Sequence, residues 1–416
     1  MFEESFCTCK FSVDKFPFKK WKLGILFLLI VLLICSCEKD KTTEEIDITK
    51  IDYGSKVNTI EEIGTVTKDD AAQNLLVAQQ LLGISFDIEP TYGFDMYRFI
   101  YQTTNYDNSK IWVSGLVGVP DTREIKGLLS YQHGTTPDRT MAPSGPSIYE
   151  GLALTSVFAA DGYLFIAADY IGLGTSEETP TYMHTESTVN AVVDLISIGE
   201  IILNELTNGT NNKLFLMGFS QGGHATAAVQ RSLESNNPTN LDIAASACVA
   251  GAYNLLGIEL PFIIEQNNTY FTAYLTNSYA KIYNQPINSI IKNEWADSLP
   301  IYFDGSKSST YITEMLPPKI DSLMQDSFLN DIENGTDNWL TLALKENETY
   351  NWKPVNPLRI YYGDADKSTS PRDAITTHQH MIDLGGNVDI FNIGSYDHMN
   401  TIYNSVPIIQ DWFNEN

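Results

Sequence analysis

The sequence predicts an α/β fold: a mostly parallel central sheet with helices on both faces and a helical insertion. Three observations point there. Short apolar runs of strand length alternate with helical patterns from Gly93 onward, as β-α-β units do. One such run, Lys213 to Met217, leads into Gly218-Phe219-Ser220-Gln221-Gly222 and then a small-residue helix pattern from Gly223 to Leu233. The alternation stops after the strand pattern Ile243 to Ala250, residues 256–350 read as helices rich in Tyr, Phe, Ile and Asn, and strands resume at Pro357. A chain of 416 residues accommodates one such core, here residues 67–255 and 351–416, plus this elaboration.

Lys19-Lys20-Trp21-Lys22 precedes an apolar run from Leu23 to Ile34, the length of a signal-peptide core and short for a membrane span. The run closes on Ile34-Cys35-Ser36-Cys37, which resembles a bacterial lipoprotein signal. That resemblance implies removal of residues 1–36, lipid on Cys37, and an exported protein anchored to a bacterial, outer, membrane and open to the cell surface. Cys35 is the weaker acceptor because bulky Ile34 precedes it. An uncleaved anchor helix is the alternative. Residues 37–66 then read as a tether and amino-terminal segment, opening on the charged stretch Glu38 to Glu45. An amphipathic helix pattern from Thr67 to Gly83 begins the folded part.

Asp121-Thr122-Arg123-Glu124 reads as a hairpin-like connection between two early strands. Gly127 to Gln132 is a strand running into His133-Gly134-Thr135-Thr136-Pro137, and Tyr163 to Ala168 runs into Asp169-Tyr170-Ile171-Gly172-Leu173-Gly174. The latter is no nucleotide loop, since it lacks a third glycine at the required spacing. Pro357 to Tyr362 is a short strand ending in Gly363-Asp364-Ala365-Asp366. Asn387 to Ile393 is another, ending in Gly394-Ser395-Tyr396-Asp397-His398, with a closing helix from Thr401 to Phe413.

Chemistry converges on Ser220. A Gly-x-Ser-x-Gly turn between strand and helix bends so tightly that the serine hydroxyl projects, and a side chain at 218 or 222 would crowd the strand against the helix. A serine needs a base and a group that orients it. His398 is the candidate base and Asp366 the candidate acid, each just past a strand end. Asp364 and Asp397 are the rival acids, with Asp364 read as a turn former. Of the six histidines, His378 and His380 fall on a surface helix, His133 reads as a loop-holding residue, and His224 as packing behind the serine. The backbone N–H groups of Gln221 and Thr135 are candidate donors to a developing oxyanion.

These motifs, with Tyr131-Gln132-His133-Gly134-Thr135 and Ala168-Asp169-Tyr170-x-Gly172-x-Gly174, resemble the secretory-lipase-like branch of the α/β-hydrolases over residues 90–416. The resemblance implies an α/β-hydrolase fold and a carboxylic ester hydrolase whose helical cap or lid, residues 256–350, closes over the serine. An acyl-enzyme mechanism follows, with no cofactor. The ester could be a lipid, a small molecule, or an acetyl or feruloyl group on a glycan. A serine peptidase is a second reading, and a binding lipoprotein on an inactive hydrolase scaffold a third.

Composition narrows partners. The net charge is −26, and removal of residues 1–36, with five basic and three acidic side chains, takes it to −28. Such a surface repels nucleic acid. Of the five cysteines only Cys248 falls beyond the leader and its terminus, inside an apolar strand, so neither a disulfide nor a cysteine-based metal site is expected. No His/Asp/Glu cluster has metal-ligand spacing.

Overall fold

The computed structural model describes residues 46–84, 87–147 and 149–416. The expected leader and Cys37 lie outside the described residues. Strands β1 (Val57–Val66), β2 (Phe94–Thr104), β3 (Lys110–Pro120), β4 (Leu128–Gln132), β5 (Leu164–Ala168), β6 (Lys213–Phe219), β7 (Asp242–Val249), β8 (Leu358–Gly363) and β9 (Val388–Gly394) build one sheet. Its order is β1-β2-β3-β5-β4-β6-β7-β8-β9. The first three strands form an antiparallel meander joined antiparallel to β5, and from β5 onward in that order the strands run parallel.

Alternate residues of the central strands feed two cores, as strand geometry requires. Leu214 and Leu216 of β6 pack on one face with Leu195 and Ile202 of α3 (Thr185–Thr207) and Val229 of α4 (Gln221–Ser235). Phe215 and Met217 pack on the other face, with Leu75 of α1 (Lys68–Leu82), Phe158 of α2 (Tyr149–Phe158) and the carboxy-terminal helix. Helix α1 begins at a capping box, Thr67 accepting from the Asp70 N–H while Asp70 accepts from the Thr67 N–H, and ends at Gly83 in the left-handed conformation.

Two sequence expectations are corrected. The folded part starts before Thr67: residues 57–66 pair with β2 as β1, and Ile48 is buried against the core. The residues of β1 are mostly half-buried or exposed, with exposed Glu61 and Glu62 between half-buried Ile60 and Ile63, and no regular alternation marks the strand. Second, Asp121–Glu124 is not a hairpin. β3 and β4 are separated by β5, so the chain steps across it. All five residues of β4 are buried, which suits a central position rather than the edge partner of a hairpin. The tight connection of this kind lies earlier, where Asn105 bonds across to Ser109 between β2 and β3.

Between β7 and β8 the chain is helical: a π-helical turn (Leu255–Glu259), α5 (Leu260–Glu265), α6 (Thr269–Ile282), α7 (Asn293–Ala296), α8 (Leu299–Tyr302), α9 (Ser309–Met315), α10 (Ile320–Leu323), α11 (Asp326–Asn334) and α12 (Trp339–Glu346). This insertion has its own core around Tyr274, Tyr279, Phe303, Leu323 and Leu340, which also takes in Tyr182 and Met183. It is fastened to the sheet domain by Tyr274, donating to the Thr136 carbonyl at 3.1 Å, and Tyr279, donating to the Met183 carbonyl at 2.9 Å. Helices α13 (Pro371–Asp383) and α14 (His398–Asn414) complete the chain. Cys248 is fully buried in β7, where burial pushes its thiol pKa up. Among the described residues no helix is long and apolar enough to cross a membrane.

Candidate active site

Strands β4 and β6 are neighbours whose onward connections leave in opposite directions, to β5 and to β7. A crevice opens at the carboxyl ends of strands at such a switch point. Ser220 stands there, between β6 and α4, with φ 58° and ψ −118°. This is a costly backbone for a non-glycine residue, and its neighbours hold it. The Ser220 N–H donates to the Val249 carbonyl at 2.9 Å. A Cβ at Gly218 would lie 2.1 Å from the Gly222 carbonyl oxygen, and one at Gly222 would lie 1.8 Å from that of Gln132, so neither position admits a side chain.

The other two residues come from the ends of β8 and β9. The Ser220 hydroxyl donates to His398 Nε2 at 2.8 Å, and His398 Nδ1 donates to Asp366 Oδ2 at 2.7 Å. Asp366 is buried and accepts three further bonds, from the Ser368 and Thr369 N–H groups and the Thr369 hydroxyl. Four donors fix the carboxylate. Asp364 is exposed and bonds Ser395 and Asn392 at the end of β9. Asp397 caps α14, accepting from the Asn400 N–H, so that helix begins at His398 rather than at Thr401. His398 is therefore carried by the first turn of a helix, not by a free loop.

Thr135 follows β4. The Gly134 N–H is occupied by the Glu150 carboxylate at 3.3 Å, whereas among the described residues the Thr135 and Gln221 N–H groups donate to no protein acceptor. Two tyrosines hold this loop: Tyr182 lies 3.3 Å from the Thr135 hydroxyl, and Tyr274 grips the Thr136 carbonyl. His133 stacks on Tyr170 and bonds backbone carbonyls of Gly134 and Asp169, a structural role. His224 is buried and bonds the Ala252 carbonyl and Thr349, and burial lowers its pKa to about 4. His378 and His380 lie on α13, where His380 bonds Asn351.

A cavity of about 50 Å³ adjoins Ser220 and Gln221. Met183, Leu255, Leu260, Ile263, Phe271 and Leu275 make most of its wall apolar. Of the insertion aromatics Phe262, Tyr270, Phe271, Tyr274, Tyr279 and Tyr283, Phe271 lines this cavity and the others belong to the insertion's core. Ligand pockets usually span roughly 300–1,000 Å³, so this cavity is smaller than a ligand-sized pocket, and Leu260, Ile263, Phe271 and Leu275 of the insertion form part of its wall. A larger groove of about 1050 Å³ runs along residues 123–126 and 206–213, at the opposite ends of β4 and β6, and holds none of these side chains. Sequence reasoning missed the acid in the wall, Glu259. Its signal was a lone acid in the apolar stretch Leu255-Leu-Gly-Ile-Glu-Leu-Pro-Phe-Ile-Ile264. Among the described residues no group of His, Cys, Asp or Glu is arranged to hold a metal ion.

Fold and sequence together define an ester-hydrolysing serine hydrolase of the α/β-hydrolase class. The chain belongs to the secretory lipase family, whose model matches residues 147–416. The family is one of exported proteins. No curated protein sequence shows significant similarity to the chain. Among solved structures it is similar to a provisionally designated hydrolase of Legionella pneumophila (TM-score 0.77, 23% identity, 86% of this chain and 98% of the other). It is also similar to the rice cell wall degrading esterase LipA of Xanthomonas oryzae (TM-score 0.75, 22% identity, 87% and 98%). Lipase A of Candida antarctica in its closed state is more distant (TM-score 0.61, 14% identity, 88% and 83%). At these identities the three structures share the fold.

Proposed function

We propose that Ser220 is the nucleophile of this esterase, His398 its general base and acid, and Asp366 the group that fixes the histidine tautomer. The unbroken hydrogen-bond line from Asp366 through His398 to Ser220 carries this reading. His398 takes the serine proton as Oγ attacks the ester carbonyl, and the Gln221 and Thr135 N–H groups receive the oxyanion. The alcohol leaves with the proton from His398, and water releases the acid by the same route. No cofactor enters these steps. The apolar wall supports esters of apolar acids, admitted when residues 256–350 move as a lid. Anchoring of the exported enzyme to an outer membrane through lipid on Cys37 rests on the sequence around that residue.

A fluorophosphonate probe tests the assignment of the nucleophile. The adduct should map to the peptide containing Ser220 and vanish in Ser220→Ala. An adduct on any other serine would refute it.

A further inference from the structure

Glu259 and Asp373 form a buried carboxyl pair beside the candidate site. Glu259 is 5% exposed and ends the π-helical turn that opens the insertion, and Asp373 is fully buried in the first turn of α13. Single π turns often mark functional sites. Two reciprocal turns bring the carboxyls together: the Glu259 N–H donates to the Asn254 carbonyl while the Asn254 N–H donates to Asp373, and the Asp373 N–H donates to the Ser370 carbonyl while the Ser370 N–H donates to Glu259. Two buried acids so placed keep one proton between them. Their remaining partners fix which one. Asp373 accepts from the Tyr253 and Asn254 N–H groups and from the Thr377 hydroxyl, the environment of a carboxylate. Glu259 accepts one bond, from the Ser370 N–H at 3.0 Å, and faces an apolar cavity, the environment of a neutral acid.

The partners also give the pair its role. Ser370 ends the loop whose Ser368 and Thr369 N–H groups hold Asp366. Tyr253 and Asn254 lead from β7 into the insertion. One shared proton thus joins the loop that presents Asp366 to the root of the insertion. Resting on the reading of Ser220, His398 and Asp366 given above, we infer that Glu259 is a positioning residue, whose protonated carboxyl bridges Asp373 and the Ser370 N–H and so holds Asp366 and the insertion in working register.

Loss of that proton would set two buried carboxylates against each other. Asp366 on the acid loop, Tyr182 before α3 and Tyr253 after β7 lie within electrostatic reach of Glu259, and Glu348 and Tyr350 beyond α12 within reach of Asp373; none of these is a cation. Burial, and then the Asp373 charge, hold the Glu259 pKa well above its ordinary 4.5. The folded protein therefore keeps a proton that the unfolded chain releases near pH 4.5. The bridge's stabilisation is complete below that pH and is lost as pH rises through the folded-state value.

Two readouts on three proteins test this. With a two-carbon nitrophenyl ester, Glu259→Ala should lower kcat by about tenfold at neutral pH, the effect of a lost buried hydrogen bond on the acid loop. Glu259→Gln, which can still donate to Asp373 and accept from Ser370, should recover most of that loss and carry kcat to higher pH than the native enzyme. In a Ser220→Ala background and above pH 6.5, where the buried histidines no longer contribute, the unfolding temperature of the protein that keeps Glu259 should fall with rising pH more steeply than that of the protein that also carries Glu259→Gln. Coincident alkaline limbs together with coincident unfolding slopes would overturn the inference. If no ester is cleaved at any pH, the esterase reading fails, and the unfolding comparison alone still decides the carboxyl pair.

Discussion

Asp366 and Asp364 stand two residues apart on one loop, and their surroundings give them opposite duties. Asp366 is buried under four donors, and Asp364 is exposed and closes a turn with Ser395. Asp366→Asn should reduce kcat by about 10⁴-fold, because the amide would present a donor to Nδ1 and reverse the histidine tautomer. Asp364→Asn should stay within about twofold, as exposed side chains away from the chemistry do. Steady-state kinetics on both variants checks the pair. Gly222→Ala should destabilise the fold by more than about 2 kcal/mol, since its Cβ would sit 1.8 Å from the Gln132 carbonyl oxygen. Chemical unfolding measures that directly. The glycine requirement could be read from the motif alone, because strand and helix can meet across a single serine only if both flanks are bare. Glu259 could not be paired with Asp373 from sequence, because 114 positions of chain separate them and no local pattern links an insertion to a later helix.

The insertion reaches the candidate site at two points. Its helix α6 contributes Phe271 to the cavity wall and Tyr274 to the Thr136 carbonyl, so one helix reaches both the acyl space and the loop that bears Thr135. Phe271→Ala should therefore change the preferred acyl length while leaving the rate on a two-carbon ester nearly unchanged. Phe262→Ala, which packs inside the insertion, should lower stability instead. Tyr274→Phe keeps the stacking on Tyr182 and Phe303 but removes one hydrogen bond. It should lower kcat about fivefold with little change in KM, the effect of about 1 kcal/mol. A panel of nitrophenyl esters run on all three variants separates these outcomes. The helical character of this segment was legible from the halt in strand-helix alternation. Which of its aromatics meet substrate was not, because helical spacing alone does not say which neighbour a side chain faces.

Across the molecule, sheet order was the part that the sequence withheld. Periodicity marked most strands, but β1 was hidden by its edge position and β3 and β4 were paired as neighbours, because a local pattern carries no information on which strand lies beside which. Burial also sets how the whole fold responds to acid. Desolvation lowers His184 and His224 to pKa values of about 4 from an ordinary 6.5. The unfolded chain thus binds protons that the folded one refuses between those values, so stability rises with pH through that window and is lost on acidification. Unfolding temperature should drop from pH 6.5 to about 4, and the drop should shrink in His224→Gln. At the level of cellular address, Cys37→Ala should yield unprocessed or soluble protein, and mass spectrometry of the native mature terminus should find lipid on residue 37. An unmodified Cys37 on a membrane-bound protein would favour an anchor helix.

The most direct measurement is turnover of a two-carbon nitrophenyl ester by Ser220→Ala, with circular dichroism and unfolding temperature recorded on the same sample. Because the substitution removes one hydroxyl and no core volume, the fold should be unchanged, while kcat should fall by about 10⁶-fold. A folded variant that retains turnover within about tenfold of the native enzyme would contradict the assignment of Ser220, and with it the hydrogen-bond line to His398 and Asp366 as the source of the chemistry.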